Sequence, residues 1–225
     1  MPTGWHFRTE GLALGPRYRP AEARDEPFIW VTWLTKLISG DAQCEWSLWF
    51  RARHSFDKLE AGSTLDGWTK DHNLLVDWRV RKLREMGLRP RVEQSFTVNG
   101  KTATVKGKAD IVYEQDGSLW IEECKTGIRR ESDHVQALIY IWLAEMNGNR
   151  TAQARLVYKD QVVDVDRSGL TKVRSAGIRL VALTVNPVPP ARQPSASECR
   201  SCNIGPTYCD DRMASEDEIF VTDEF

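Results

Sequence analysis

The chain has 225 residues, 41% of them hydrophobic and 28% charged, and a formal net charge of −1. That is enough apolar material for one large domain with appendages, and it excludes a globally disordered chain. No apolar run reaches the ~18 residues of a membrane span and no charged-then-apolar leader is present, so the expectation is a cytoplasmic protein with no membrane contact.

Residues 1–27 are rich in Pro, Gly and Arg without periodicity and read as an extended arm. Two short helices are expected over "FIWVTWLTKLISGDAQCEWSLWFRARHSF", the first capped by Thr32 and ended by Gly40, the second opened by Asp41 or Gln43 next to Cys44. Trp46, Trp49 and Phe50 then share one face. Leu65, Trp68, His72, Leu75 and Arg79 recur at three- and four-residue steps, which predicts a long helix closed by Gly87.

Period-two alternation in "RPRVEQSFTV" leads to Asn99-Gly100, a strong hairpin signal, and the strand "KTATVKGKADIVYE" returns. Asp116-Gly117 turns again into "SLWIEECK". Residues 133–145 form a helix apolar nearly all round, hence buried. A strand pair over "QARLVYKDQVVDVDR", a helix over "LTKVRSAGIRLVALTV" and a Pro-rich connector over 187–197 complete the order. The fold class is α/β or α+β, a mixed central sheet with helices on both faces. Residues 210–225 hold seven acids and one Arg, so the tail carries −6 and the rest +5, a balance compatible with phosphate binding.

Chemistry concentrates on residues 107–127, "GKADIVYEQDGSLWIEECKTG". Glu123 and Lys125, two apart on a strand, share a face, and Glu122 and Cys124 take the other. The Asp116-Gly117 turn brings Asp110 toward Glu123 across the ladder. Two converging carboxylates repel unless a cation lies between them, and a hard divalent ion such as Mg²⁺ fits oxygen donors. An isolated E-x-K triplet is also the pattern of an ordinary ion pair on a solvated sheet face. The upstream Gly-x-x-Asp, the hairpin spacing and the "KTG" ending favour the site.

These residues carry a resemblance. "GKADIV" with "WIEECKTG" resembles the restriction-endonuclease-like core of PD-(D/E)XK nucleases, in the form found in RecB-like exonucleases. Gln136 and Tyr140, four apart in "QALIY", are similar to the Q-x-x-x-Y motif that this group carries after the lysine. The pattern spans roughly residues 29–209 and departs in having Ala109 where the family name has Pro. The resemblance implies a metal-dependent deoxyribonuclease, an exonuclease on single strands or ends. It implies that His72, Asp110, Glu123 and the Cys124 carbonyl hold Mg²⁺ or Mn²⁺, with Asp110, Glu123 and Lys125 catalytic and Gln136 and Tyr140 orienting the site or the DNA backbone. His54, His134 and His6 are rivals to His72, which shares a helix face with Trp68 and Leu75.

Five cysteines in such a chain do not suggest a disulfide framework. Cys199-x-x-Cys202, six residues before Cys209, with Cys44 far upstream, offers four thiolates for tetrahedral Zn²⁺ or an iron–sulfur cluster. Spacing alone does not choose, and zinc leads on general frequency. The resemblance reverses that order, because the iron–sulfur subgroup of RecB-like nucleases, including CRISPR-associated adaptation exonucleases and AddB-type nucleases, has one N-terminal and three C-terminal cysteines around a [4Fe-4S] cluster. Cys124 is left as a small core residue.

The division expected is an arm (1–28), a nuclease core (29–186), a connector and cluster-binding segment (187–210) and an acidic tail (211–225). DNA is the expected partner, in phage or bacterial DNA metabolism, recombination or CRISPR adaptation, with a helicase, recombination or CRISPR adaptation protein as a candidate associate. Trp33, Trp46, Trp49 and Trp68 are available to stack on unpaired bases, although nine tryptophans mostly mean core. The rival readings are a non-catalytic nucleic-acid-binding or assembly module on the same fold, and a zinc-stapled interaction domain.

Overall fold

A computed structural model describes residues 19–59, 65–149 and 151–213, with the side chains of 65–68 outside the description. Most of the arm, the tail beyond residue 213 and the Trp68 ring therefore lie outside the described residues, as does His6.

The chain enters through β1 (Glu22–Ala23), which pairs with β3 (His54–Ser55) in a small antiparallel ribbon. Phe28–Trp30 then forms a strand, β2, where the sequence suggested helix. Its central Ile29 is fully buried and its backbone pairs in parallel with a later strand. An aromatic and β-branched triplet in a ladder satisfies its amides and core contacts together. The helix α1 (Val31–Ile38) consequently starts beyond Trp30, and Thr32 is not its cap. Likewise α2 (Glu45–Arg53) is entered through Cys44, not Asp41 or Gln43. The Glu198 carboxylate accepts from the Gln43 and Cys44 amides at 3.0 and 3.3 Å, a distant anion taking the place of a local cap.

Helix α3 (Leu65–Glu85) closes as expected at Gly87, with Leu88 N–H donating to Leu83 O and Gly87 N–H to Arg84 O. The meander follows: β4 (Arg91–Asn99), β5 (Thr104–Gln115) and β6 (Ser118–Lys125). Asp116 and Gly117 both have positive φ, 51° and 73°, the conformation of a two-residue hairpin turn. Asn99-Gly100 is different. Asn99 pairs with Thr104, so the turn is the four-residue loop 100–103, with Gly100 N–H donating to Ala103 O at 2.9 Å. Burial of Ala103 and Val105, and the bond from Thr104 N–H to Pro27 O, set this register over the tighter one.

Helix α4 (Glu131–Met146) crosses from β6 to the parallel β7 (Gln153–Tyr158), and β8 (Val162–Asp164) closes the edge. After α5 (Leu170–Val185) and an irregular stretch over 187–195, the short α6 (Ala196–Ser201) carries Cys199 and ends at Cys202, its first residues lying in what read as connector. The six-stranded sheet runs β2-β5-β6-β7-β8, with β4 also paired to β5. It is mixed and has helices on both faces. One face packs on α1, α2, α4 and α5; the other meets α3 through Leu75, Val80 and Leu83 against Ile111, Tyr113, Cys124 and Val157.

Strand β5 positions the site. It is paired to β2 over Thr104–Lys106 and to β6 only from Ile111 onward, so between these stretches its backbone lacks a strand partner on that side. Tyr140 of α4 fills the gap, its hydroxyl donating to Lys108 O at 2.9 Å. The ring comes so close that a Cβ on Gly107 would lie 2.6 Å from it and 2.5 Å from Val31, which only glycine avoids.

Candidate active site

The β5–β6 ladder stops at Ile111 paired with Glu122. The next pair would be Asp110 and Glu123, and there side chains replace the ladder. Asp110 N–H donates to Glu123 Oε1 at 3.3 Å, and Cys124 N–H donates to Asp110 Oδ2 at 2.7 Å. On the other side of β5, Glu93 stands across from Asp110 with φ +52°, and the β4–β5 pairing skips that one position. A non-glycine residue there is strained, and the distortion lies beside the acid it releases from the ladder.

Glu123 is 2% exposed and faces α4. Its Oε2 accepts from Gln136 Nε2 at 2.9 Å and from Lys125 Nζ at 3.4 Å, and Lys125 also donates to Gln136 Oε1 at 2.7 Å. From the α3 side, His72 Nε2 reaches to 3.2 Å from Asp110 Oδ2. His72, Asp110, Glu123, Lys125 and Gln136 therefore form one hydrogen-bonded group drawn from two strands and two helices.

Tyr140 is 2% exposed and its hydroxyl bonds the Lys108 carbonyl, so in this structure it supports β5 from below. Asp133, read only as a helix start, lies 3.9 Å from Lys125 and accepts from Tyr158 O–H at 3.0 Å and from Arg130 N–H at 3.1 Å. Its N-terminal helix position accounts for the last bond; the approach to Lys125 is tertiary. Of the other histidines, His54 stacks on Phe50 and His134 stands near Asp166.

Burial, and then the charge of Asp110, pushes the Glu123 carboxyl up to about 8 from an ordinary 4.5. The hydrogen bond to the Asp110 carboxylate raises the His72 imidazole. For Glu123 the sign is destabilising at high pH: the folded state keeps a proton that the unfolded chain has released, so stability is full below pH 4.5 and falls as pH rises toward 8. Calorimetry of the metal-free protein should show a falling Tm between about pH 5 and 8. Glu123→Gln should flatten that slope; an unchanged slope would mean that Glu123 is ionised throughout.

Two opposed carboxylates with an imidazole are an oxygen-rich donor set that suits a hard divalent cation, and a cation would relieve the charge that raises Glu123. As the side chains stand, they are turned to one another, and among the described residues no three His, Cys, Asp or Glu side chains converge on one point.

Cys44, Cys199, Cys202 and Cys209 line one small cavity with Trp46, Arg192 and Arg212, and none is in a disulfide. Arg51 Nη2 donates to Cys202 Sγ at 3.2 Å. Four thiols with three arginines beside them are the donor types of a thiolate-ligated metal or cluster, with guanidinium groups to offset the charge, but as the side chains stand no three sulfurs among the described residues converge on one point. Trp46, under the Arg192 guanidinium, and Trp49, donating to Asn186 O at 2.7 Å, are walls around this region and not base-stacking surfaces. Cys124 is apart from them, buried under α3, where desolvation pushes its thiol up.

The frame is thus a mixed sheet whose two central strands part around paired carboxylates and a lysine. The sequence matches the PD-(D/E)XK nuclease superfamily over residues 40–207, and the chain belongs to that superfamily. It is a nuclease by family, with nucleic acid as its substrate. No curated protein matches it. Among solved structures it is similar in fold to a candidate exonuclease from Eubacterium rectale, at 13% identity and TM-score 0.50, over 84% of this chain and 90% of that one. It also matches the protein SSO0001 at 16% identity and TM-score 0.41, over 86% and 90%. Among the described residues no helix is long and apolar enough to cross a membrane.

Proposed function

We propose that the chain is a metal-dependent deoxyribonuclease of the RecB-like type, removing nucleotides from single strands or duplex ends. The observation that carries this reading is the placement of Glu123, buried beside Asp110 and held between Lys125 and Gln136 where β5 and β6 part. His72, Asp110, Glu123 and the Cys124 carbonyl would hold Mg²⁺ or Mn²⁺, the ions typical of the superfamily. When bound, such an ion polarises the phosphate and lowers the pKa of water.

The chain's own residues do the rest. Lys125 places a positive charge beside the carboxylates, where it orients the attacking water and offsets charge developing on the phosphate. Gln136 fixes Lys125 and Glu123 to each other through both ends of its amide. Asp133, 3.9 Å away, places a further carboxylate beside Lys125. Tyr140 holds β5 open so that Asp110 leaves the ladder.

Cys44, Cys199, Cys202 and Cys209 hold a [4Fe-4S] cluster in this reading, with zinc as the alternative occupant. It would cross-link α2 to the segment 187–210 and close a long loop. Residues 29–186 are then the nuclease core.

The test uses anaerobically purified protein with single-stranded DNA labelled at the 5′ or the 3′ end. With Mn²⁺, mononucleotides or short fragments should be released progressively from one end, and EDTA should stop the reaction. Internal cutting without end dependence would remove the exonuclease assignment. No degradation by protein with its cysteine site loaded would overturn catalysis by the isolated chain, leaving a binding module on this fold.

A further inference from the structure

A cleft of about 350 Å³ opens between α1, α2 and α6, and none of the carboxylate group lines it. Trp33 and Lys36 of α1, Arg51 of α2 and Arg130 before α4 line it, together with Asp41 and Glu198. Three cations thus face two carboxylates, and one of these is already engaged, because Glu198 accepts from the Gln43 and Cys44 amides. Arg51 is tied at Nη2 to Cys202, while its Nε is buried and has no acceptor among the described residues. The chemistry is that of a phosphodiester: spaced cations for the phosphates and a half-buried indole for the face of a base.

Arg130 connects this cleft to the carboxylates. It precedes the first turn of α4, where Asp133 stands 3.9 Å from Lys125, and Gln136 follows one turn later. Arg130 on the cleft wall and Lys125 beside Asp133 are thus linked through the first turn of α4. The cleft volume suits one nucleotide unit and is far too small for a duplex.

We propose that this cleft is a subsite for a single nucleic-acid strand flanking the hydrolysed bond. Lys36, Arg51 and Arg130 take its phosphates and Trp33 an unpaired base. The proposal rests on the nuclease reading for the strand's destination.

Lys36→Gln and Arg130→Gln, both at exposed positions outside the catalytic group, are combined in the full chain. Fluorescence anisotropy without divalent ions measures binding of a labelled 12-mer, as DNA and as RNA. Single-strand affinity should fall about tenfold, and the slope of log K against log salt should shrink by about 1.4, two phosphate contacts at about 0.7 each. Whichever of DNA and RNA shows the larger change is the strand for which the cleft is built. With Mn²⁺, kcat/KM on a 20-mer should fall in parallel, while hydrolysis of a trimer too short to span both places stays unchanged. Undiminished single-strand affinity and slope, or an equal loss on a blunt duplex, would overturn the subsite. If the wild type hydrolyses neither substrate, the nuclease reading fails instead, and the anisotropy still decides the cleft.

Discussion

Replacing Lys125 with Ala should lower DNA hydrolysis about 10³-fold while leaving the protein folded and its Mn²⁺ affinity within a few-fold. The magnitude is that of losing a preorganised charge aimed at a transition state. Folding should survive because Lys125 ends β6 with a partly exposed side chain, and Glu123 keeps its bonds from Gln136 and from the Asp110 amide. The electrostatic effect on Glu123 has a definite sign. Lys125 is among the groups that lower this carboxyl, so without it the folded state holds its proton to still higher pH. The metal-free variant should therefore go on losing stability above pH 8, where the wild type levels off, a difference calorimetry can read. Lys125→Arg should not restore the rate. A planar guanidinium cannot reproduce a point charge shared between Glu123 Oε2 and Gln136 Oε1. Activity retained in Lys125→Ala would place the transition-state charge elsewhere in the group.

The parts of the site legible in the sequence depend on short-range periodicity. Alternation along "WIEECK" put Glu123 and Lys125 on one face and Glu122 and Cys124 on the other, as the structure has them. The Asp116-Gly117 turn fixed which residues of β5 and β6 stand opposite; Gln136 was marked by the resemblance, and its bond to Glu123 is seen only in the structure. What escaped is tertiary. Nothing local marks Phe28–Trp30 as a strand, since its partner lies some 75 residues on, at Thr104–Lys106. No turn chemistry announces the positive φ of Glu93, which is neither Gly nor Asn. The bond of the Tyr140 hydroxyl to Lys108 O was not legible either, because it answers a gap in the ladder of β5. Glu122 read as the other side of a strand and proved fully buried, because Arg79 comes to it from a helix packed on that face.

That ion pair carries the largest expected stability effect. Arg79 donates to both oxygens of Glu122 at 2.7 Å, and Tyr113 O–H adds a bond of 2.8 Å. Arg79→Met would leave a carboxylate at 0% exposure with the Tyr113 hydroxyl as its close partner and Arg155 at 4.0 Å. Breaking one side of a buried pair costs about 3–5 kcal/mol, so Tm should fall by about 10 °C in a chain of this length. Arg79→Met/Glu122→Met removes both charges and should recover most of that loss, since replacing a whole buried pair by apolar side chains is often near neutral. Tyr113 would still bond Arg155 at 2.8 Å. Activity should separate the two roles of the pair. His72 and Arg79 are seven residues apart, two turns along the same face of α3, so the bond to Glu122 fixes how far His72 advances toward Asp110. Two methionines fill volume without specifying that register. The double variant should therefore melt near the wild type yet hydrolyse DNA slowly. Full recovery of both would mean that the apolar stripe of Leu75, Val80 and Leu83 places α3 unaided.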